Sequence, residues 1–118
     1  MTGYLTTHVL DTARGCPAEG IDIALYVVTE DGRRLLGQVQ SNADGRTDGP
    51  ILQGQGFVAG VYELEFHVGD YLNRTGQATG LPLFLDVVPI RFGVNDKGAH
   101  YHVPLLLSPF GYSTYRGS

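Results

Sequence analysis

The sequence predicts an all-β protein, a two-sheet antiparallel sandwich of seven or eight strands that carries one short helix. Three observations lead there. Gly and Pro, 17 and 6 of the 118 residues, interrupt the chain so often that the longest stretches free of both, Tyr4 to Arg14 and Ile21 to Asp31, run to eleven residues each, which excludes long helices. Between the interruptions lie short β-rich runs separated by turn residues, the pattern of a sandwich or barrel rather than of alternating helix and strand. Most of those runs alternate apolar and polar residues with period two. A single domain over residues 1–118 accounts for the length, and at this size one core buries roughly two thirds of the unfolded surface without a metal or disulfide staple.

Taken in order, Tyr4 to Leu10 opens the chain as a strand in which Leu5, Thr7 and Val9 alternate with Tyr4, Thr6, His8 and Leu10. Cys16 follows in a turn between Gly15 and Pro17. Ile21 to Thr29 sets Ile21, Ile23, Leu25 and Val27 on one face, and Asp31-Gly32 reads as a hairpin turn into Leu35 to Gln40. Ser41 to Gly45 is a second turn cluster, with Arg46 directly after it. Ile51 to Phe57 is too rich in Gly to assign. In Val61 to Val68 the set Tyr62, Leu64, Phe66 and Val68 opposes Glu63, Glu65 and His67, with His67 expected in solvent. Gly69 to Gly80 has room for a helical turn or two, with Asp70 near its start where a carboxylate helps cap exposed N–H groups. Leu83 to Val94 is an edge or bulged strand interrupted by Pro89, and Ala99 to Leu107 and Tyr112 to Arg116 complete the count.

Eight Lys plus Arg against twelve Asp plus Glu give a net charge of -4, which argues against a nucleic-acid partner. Charged residues are 17% of the chain and apolar ones 42%, whereas an average domain has about 25% charged, so the chain is short of groups to coat itself and an oligomer would hide the difference. The one cysteine, Cys16, excludes an internal disulfide and a zinc-thiolate pair. No cationic start precedes an apolar run at the N-terminus, and no segment approaches the roughly 18 apolar residues of a membrane span. A soluble, cytoplasmic protein with no membrane partner is the expectation.

In the last long strand Tyr101, Val103, Leu105 and Leu107 alternate with His100, His102, Pro104 and Leu106, so both histidines point away from the core face. In the first strand His8 likewise opposes Leu5, Thr7 and Val9. Outer faces that mix His with Tyr, Leu and Pro suit a partner better than water. These histidines either decorate such a surface or act in a site. Two imidazoles side by side would suit a metal, but zinc takes three or four protein ligands and no Cys or Glu follows at a recognised spacing, so no metal is expected. Nucleophile-elbow, P-loop and dinucleotide motifs are lacking.

The segment His100-Tyr101-His102-Val103-Pro104-Leu105-Leu106-Leu107-Ser108-Pro109, followed by Tyr112-Ser113-Thr114-Tyr115-Arg116-Gly117-Ser118, closely resembles the 5-hydroxyisourate hydrolases, the transthyretin-related enzymes of purine catabolism. Leu5-Thr6-Thr7-His8-Val9-Leu10-Asp11 is similar to that family's opening strand, and Ser41-Asn42-Ala43-Asp44-Gly45-Arg46 to its turn with a functional Arg. The resemblance implies a transthyretin-like sandwich, a homotetramer with sites at the dimer-dimer interface, a small-molecule substrate, and hydrolysis of 5-hydroxyisourate to 2-oxo-4-hydroxy-4-carboxy-5-ureidoimidazoline in urate catabolism. It carries function onto His8, Arg46, His102, Tyr115, Arg116, Gly117 and Ser118. Opening a cyclic amide requires water to lose a proton, an oxyanion to be stabilised and the ring nitrogen to gain a proton; no cofactor or metal is needed. His102 or His8 suits the proton transfers, since imidazole titrates near neutrality. Arg46 and Arg116 suit the clamping of urate-like carbonyls, with Tyr115 and Gly117 beside them, and the Ser118 carboxylate is placed to orient an Arg or His. The alternative within the same architecture is a non-catalytic carrier of a small ligand, which would want a drier channel. A sandwich with incidental histidines leaves the terminal motif unexplained.

Overall fold

A computed structural model describes residues 3–117; Ser118 lies outside the described residues. The chain is laid out as β1 (Tyr4–Thr6), β2 (Val9–Asp11), β3 (Cys16–Pro17), β4 (Asp22–Thr29), β5 (Gly32–Gln40), β6 (Leu52–Gln53), β7 (Gly60–His67), the helix α1 (Gly69–Arg74), β8 (Val87–Val94), β9 (His100–His102), β10 (Leu105–Ser108) and β11 (Gly111–Thr114). One layer has the order β5-β4-β7-β8 and is antiparallel throughout. The other is two short sheets, β6-β1-β9 and β11-β10-β2-β3, that continue one another. They part where Pro104 has no N–H to give, yet the ladder is bridged: the Val103 amide donates to the Thr6 carbonyl at 3.0 Å and the Leu105 amide to the His8 carbonyl at 2.9 Å. Joining β1 to β2 and β9 to β10 leaves, among the described residues, seven strands longer than two residues.

Two features depart from the all-antiparallel expectation. β1 pairs with β9 and β2 with β10 in parallel, with Leu5 opposite Tyr101, Thr6 opposite His102 and Val9 opposite Leu105. Parallel neighbours need a long crossover, and here the whole other layer is that crossover. Residues 83–86 are irregular, so the strand begins at Val87. It runs through Pro89 without a break because β8 is an edge, where a missing N–H costs the ladder little. The β4–β5 hairpin closes through Glu30-Asp31, with Gly32 at φ +117° as the first strand residue rather than the second turn residue. The Gly-rich stretch holds a two-residue strand and a 3₁₀ turn over Gly54–Gly56.

Period two sends Leu5, Val9, Leu105 and Leu107 from one layer, and Ile23, Leu25, Leu64 and Phe66 from the other, into a single core. Each such side chain contributes roughly 1.5–3 kcal/mol when removed from water. On the outside of the second layer Glu63 is held by Arg33 (2.7 Å) and Arg91 (3.2 Å), and Glu65 by Arg33 (2.9 Å). His67, expected in solvent, is half-buried and leans on Glu65 at 3.1 Å.

α1 begins without a side-chain cap, but Asp70 in its first turn and Arg74 in its last suit the helix dipole. The helix is tied to the first layer by Asp11, a buried carboxylate for which sequence spacing named no partner. Its oxygens accept from the Tyr71 hydroxyl (2.6 Å), the Gln77 amide (2.8 Å) and the Arg14 backbone N–H (2.9 Å). Burial pushes the Asp11 carboxyl up, but these bonds together outweigh it and hold it below the ordinary 3.8. Burial, followed by the hydrogen bond to Asp11 and then its charge, pushes the Tyr71 phenol up to about 12. Tyr71→Phe should therefore lower unfolding stability by about 1.5–3 kcal/mol, the worth of a hydrogen bond to a charged group. As the folded pKa of Asp11 lies below the unfolded one, its contribution is complete above pH 3.8 and is lost as pH falls through the folded value. Urea melts of both proteins at neutral and acid pH check this: the gap between them should narrow in acid.

Candidate active site

The parallel pairing puts Tyr4 opposite His100 and Thr6 opposite His102 on the outer face of the first layer, and His8, two residues on, is near enough to act on the His102 charge. Between the two histidines stands a hydroxyl that the sequence reading passed over: Thr6 Oγ1 lies 2.7 Å from His100 Nε2 and 2.8 Å from His102 Nδ1. The Tyr4 ring stacks on His100 with centroids 4.2 Å apart and planes 14° from parallel, which fixes the plane of that imidazole. Period two already placed Thr6 and His102 on outward faces; what it lacked was the knowledge that the two strands are neighbours.

Arg46 arrives on a turn built by its own residues. Asn42 Oδ1 accepts from the amides of Asp44 (2.9 Å) and Arg46 (3.2 Å), and the Asn42 amide donates to the Arg46 carbonyl at 2.7 Å. Gly45 at φ +76° lets the turn press against β2: a Cβ there would stand 2.3 Å from the Val9 carbonyl oxygen and 3.2 Å from His8 Cδ2. His8 Nε2 is 2.8 Å from the Asp44 carbonyl, and since a carbonyl only accepts, that nitrogen carries the proton and donates. Arg46, Thr6, Tyr4, His100 and His102 line one open groove of about 480 Å³.

Burial pushes the His102 imidazole below its ordinary 6.5, and the Arg46, His100 and His8 charges push it further the same way. His102 is therefore neutral at pH 7. Among the described residues its Nε2 has no hydrogen-bond partner. The groove thus offers a neutral imidazole beside an exposed guanidinium, a pairing able to move a proton next to a bound anion.

The C-terminal tail returns to the same strand. The Gly117 amide donates to the His102 carbonyl at 2.7 Å, and a Cβ on Gly117 would lie 2.6 Å from His102 Cδ2, so only glycine fits against that ring. Tyr115 and Arg116 are not in the His102 groove of this protomer. They line a separate cleft of about 680 Å³ along the edge of β8, where the Arg116 guanidinium stacks 3.9 Å over the Tyr101 ring on the core side of β9. The structure therefore brings together His8, Arg46, His102 and the backbone of Gly117, with Thr6 and His100 added, and leaves Tyr115 and Arg116 apart.

The chain is 58% identical over 117 residues to 5-hydroxyisourate hydrolase 2 of Rhizobium meliloti, a match covering 99% of this chain and 98% of that protein. Among solved structures it is similar to an (S)-allantoin synthase, with a TM-score of 0.92 and 47% identity, covering 99% of this chain but 44% of that longer one. It is also similar to sea bream transthyretin in complex with thyroxine, with a TM-score of 0.84 and 30% identity over 96% of this chain and 93% of that one. The model of the HIUase/Transthyretin family matches residues 5–117, and the chain belongs to that family.

Proposed function

We propose that this chain is an enzyme that hydrolyses 5-hydroxyisourate to 2-oxo-4-hydroxy-4-carboxy-5-ureidoimidazoline in urate catabolism. The observation that carries the proposal is the meeting of Arg46, His100 and His102 in one groove, with His8 close enough to act on the His102 charge, in a chain 58% identical to a protein named for that hydrolysis. A carrier's dry channel is a poor description of a groove lined by two imidazoles and a guanidinium.

In this reading Arg46 holds the anionic ring edge of the substrate with a fork of donors. His102 Nε2 takes a proton from water as the hydroxide oxygen bonds to the ring carbonyl carbon. The oxyanion that forms is met by Arg46, where fixed positive charge gives its largest benefit. The C–N bond then breaks, its electron pair goes to the ring nitrogen, and that nitrogen takes the proton back from His102. Of the two candidate bases His102 is preferred, because His8 Nε2 is already committed to the Asp44 carbonyl. His8, with its proton fixed on that side, presents Nδ1 as an acceptor for a substrate N–H.

The assembly belongs to the same proposal: a homotetramer whose sites form between dimers. Its support in this protomer is the apolar surface left open, with Leu81 93%, Phe84 72% and Phe110 73% exposed. Tyr115 and Arg116 would complete a substrate site only across such an interface. Among the described residues no helix is long and apolar enough to cross a membrane; a cytoplasmic setting is proposed on the single unpaired cysteine and the acidic charge.

The direct test generates 5-hydroxyisourate in the cuvette from urate with a urate oxidase and follows its ultraviolet decay and the circular dichroism of the product. Acceleration over spontaneous hydrolysis, with one enantiomer formed, is expected; a folded oligomer that gives none returns the chain to the carrier reading. His102→Asn should keep the fold and lower kcat by about 10²–10⁴. Because the neutral form accepts the proton and burial, Arg46, His100 and His8 hold its pKa below 6.5, wild-type kcat/KM should persist below pH 6.5 and fall only as pH drops through the lowered value. Leu106, half-buried on the outer face, is the probe of assembly: Leu106→Glu should break the oligomer in light scattering and abolish turnover with it, and an active monomer would contradict a shared site.

A further inference from the structure

The hydroxyl between the two histidines has one hydrogen to give and two ring nitrogens to satisfy. Thr6 Oγ1 touches His102 Nδ1 on one side and His100 Nε2 on the other, and among the described residues it has no third partner. If His100 donates to Thr6 and Thr6 to His102, the proton of a neutral His102 sits on Nε2, the nitrogen that reaches the groove, and the ring has no lone pair there for water's proton. Run the other way, His102 Nδ1–H donates to Thr6, the Thr6 O–H donates to His100 Nε2, and His102 Nε2 is bare.

We propose that Thr6 is a positioning residue for the hydrolysis: it accepts from His102 Nδ1–H and donates to His100 Nε2, thereby holding His102 in the tautomer whose Nε2 lone pair faces the groove. The inference rests on the reading of this chain as a hydrolase with His102 as base.

The surroundings hold both contacts in place, and the chemistry of the base requires this direction of them. His100 is held face to face by Tyr4, so its Nε2 is aimed at Thr6 and cannot swing away. Thr6 and His102 are directly opposed residues of parallel strands, and the Val103 amide bonded to the Thr6 carbonyl keeps the two backbones in register around the contact. The tail passes so close that a Cβ on Gly117 would stand 2.6 Å from His102 Cδ2 and 3.2 Å from Cγ, and the Gly117 amide is bonded to the His102 carbonyl. The same arrangement suits both halves of the reaction: when Nε2 takes a proton from water the imidazolium still donates through Nδ1 to Thr6, so no hydrogen bond has to be remade before the proton is returned. His100 is thereby the acceptor at the end of the chain.

The test uses full-length protein with ¹⁵N-labelled histidine, without substrate, at a pH where His102 is neutral. Long-range ¹H–¹⁵N spectra of the ring assign the tautomer of each histidine. In the wild type His102 should carry its proton on Nδ1, and His100 should have a bare Nε2. Thr6→Val keeps the branched shape without the hydroxyl; it should move His102 toward the Nε2–H form that a free histidine side chain prefers, lower kcat about tenfold, the worth of one hydrogen bond, and leave KM within about twofold. Thr6→Ser should restore both the spectrum and kcat. A wild-type His102 protonated on Nε2, or a Thr6→Val enzyme with wild-type kcat, overturns the inference. If Thr6→Val does not fold, the wild-type and Thr6→Ser spectra decide it alone. Failure of the hydrolase reading looks different: it appears as a wild type that does not accelerate hydrolysis at all.

Discussion

Because β1 and β2 lie parallel to β9 and β10, with Thr6 opposite His102 and Val9 opposite Leu105, the inward and outward side chains of the two ends of the chain alternate in step. Leu5, Val9, Leu105 and Leu107 are all fully buried. A slip of one residue in β9 and β10 would drive His100 and His102 into the core and expose Tyr101, Val103, Leu105 and Leu107, a loss of roughly 1.5–3 kcal/mol for each apolar side chain before any cost of burying imidazole. The hydrophobic side of the sheet thus dictates the position of the chemical side. Thr6, His8, His100 and His102 are directed outward because each is the neighbour of a buried residue, and their own contacts then fix the ring planes.

Arg46 and the tail are brought to that face by backbone rather than by side-chain packing. The Asn42 turn and Gly45 carry Arg46 up against His8, and Gly117 carries the tail onto the His102 ring. The electrostatic consequence is linked to the geometric one. After burial, the guanidinium is the largest influence keeping His102 unprotonated, and the same guanidinium is the exposed cation that an anionic substrate would meet. A base next to a cation is in its accepting form before substrate arrives; an anion seated on Arg46 then offsets that cation and raises the basicity of the imidazole at the moment a proton has to be taken up.

What could be read from the chain divides along the same line between local and non-local. The outward placement of His8, His100 and His102, the buried sets on β4 and β7, the turn before Arg46 and the edge position of the Pro89 strand all follow from period two and turn chemistry, and all stand in the structure. The partners of Asp11 are Tyr71 and Gln77, sixty and more residues away, and no periodicity points to them. Thr6 was visible as an outward residue and mute as a functional one, since its meaning depends on a parallel neighbour that only the crossover supplies. Arg116 shows the converse: its membership of the terminal motif says nothing of which side of β9 its side chain takes, and within the protomer it takes the side of Tyr101.

Tyr101 explains why that side matters to the other. Its hydroxyl accepts from the amides of Asn95 and Asp96, both at 3.1 Å, and donates to Asn95 Oδ1 at 2.9 Å. One face of its ring is covered by Arg116 and its edge is met by Phe57. The residue between the two histidines is therefore fastened at its hydroxyl and packed over its ring, and in a β-strand a residue held this firmly fixes the direction of both neighbours, which must point the opposite way. The residues that hold β9 and those that face the groove alternate along it, so the anchoring of Tyr101 supports the imidazoles from behind while Tyr4 and Thr6 hold them on the groove side. In the proposed hydrolysis, a base held in this way beside its cation would need little reorganisation when substrate binds, which is the condition under which a modest set of groups gives its full effect.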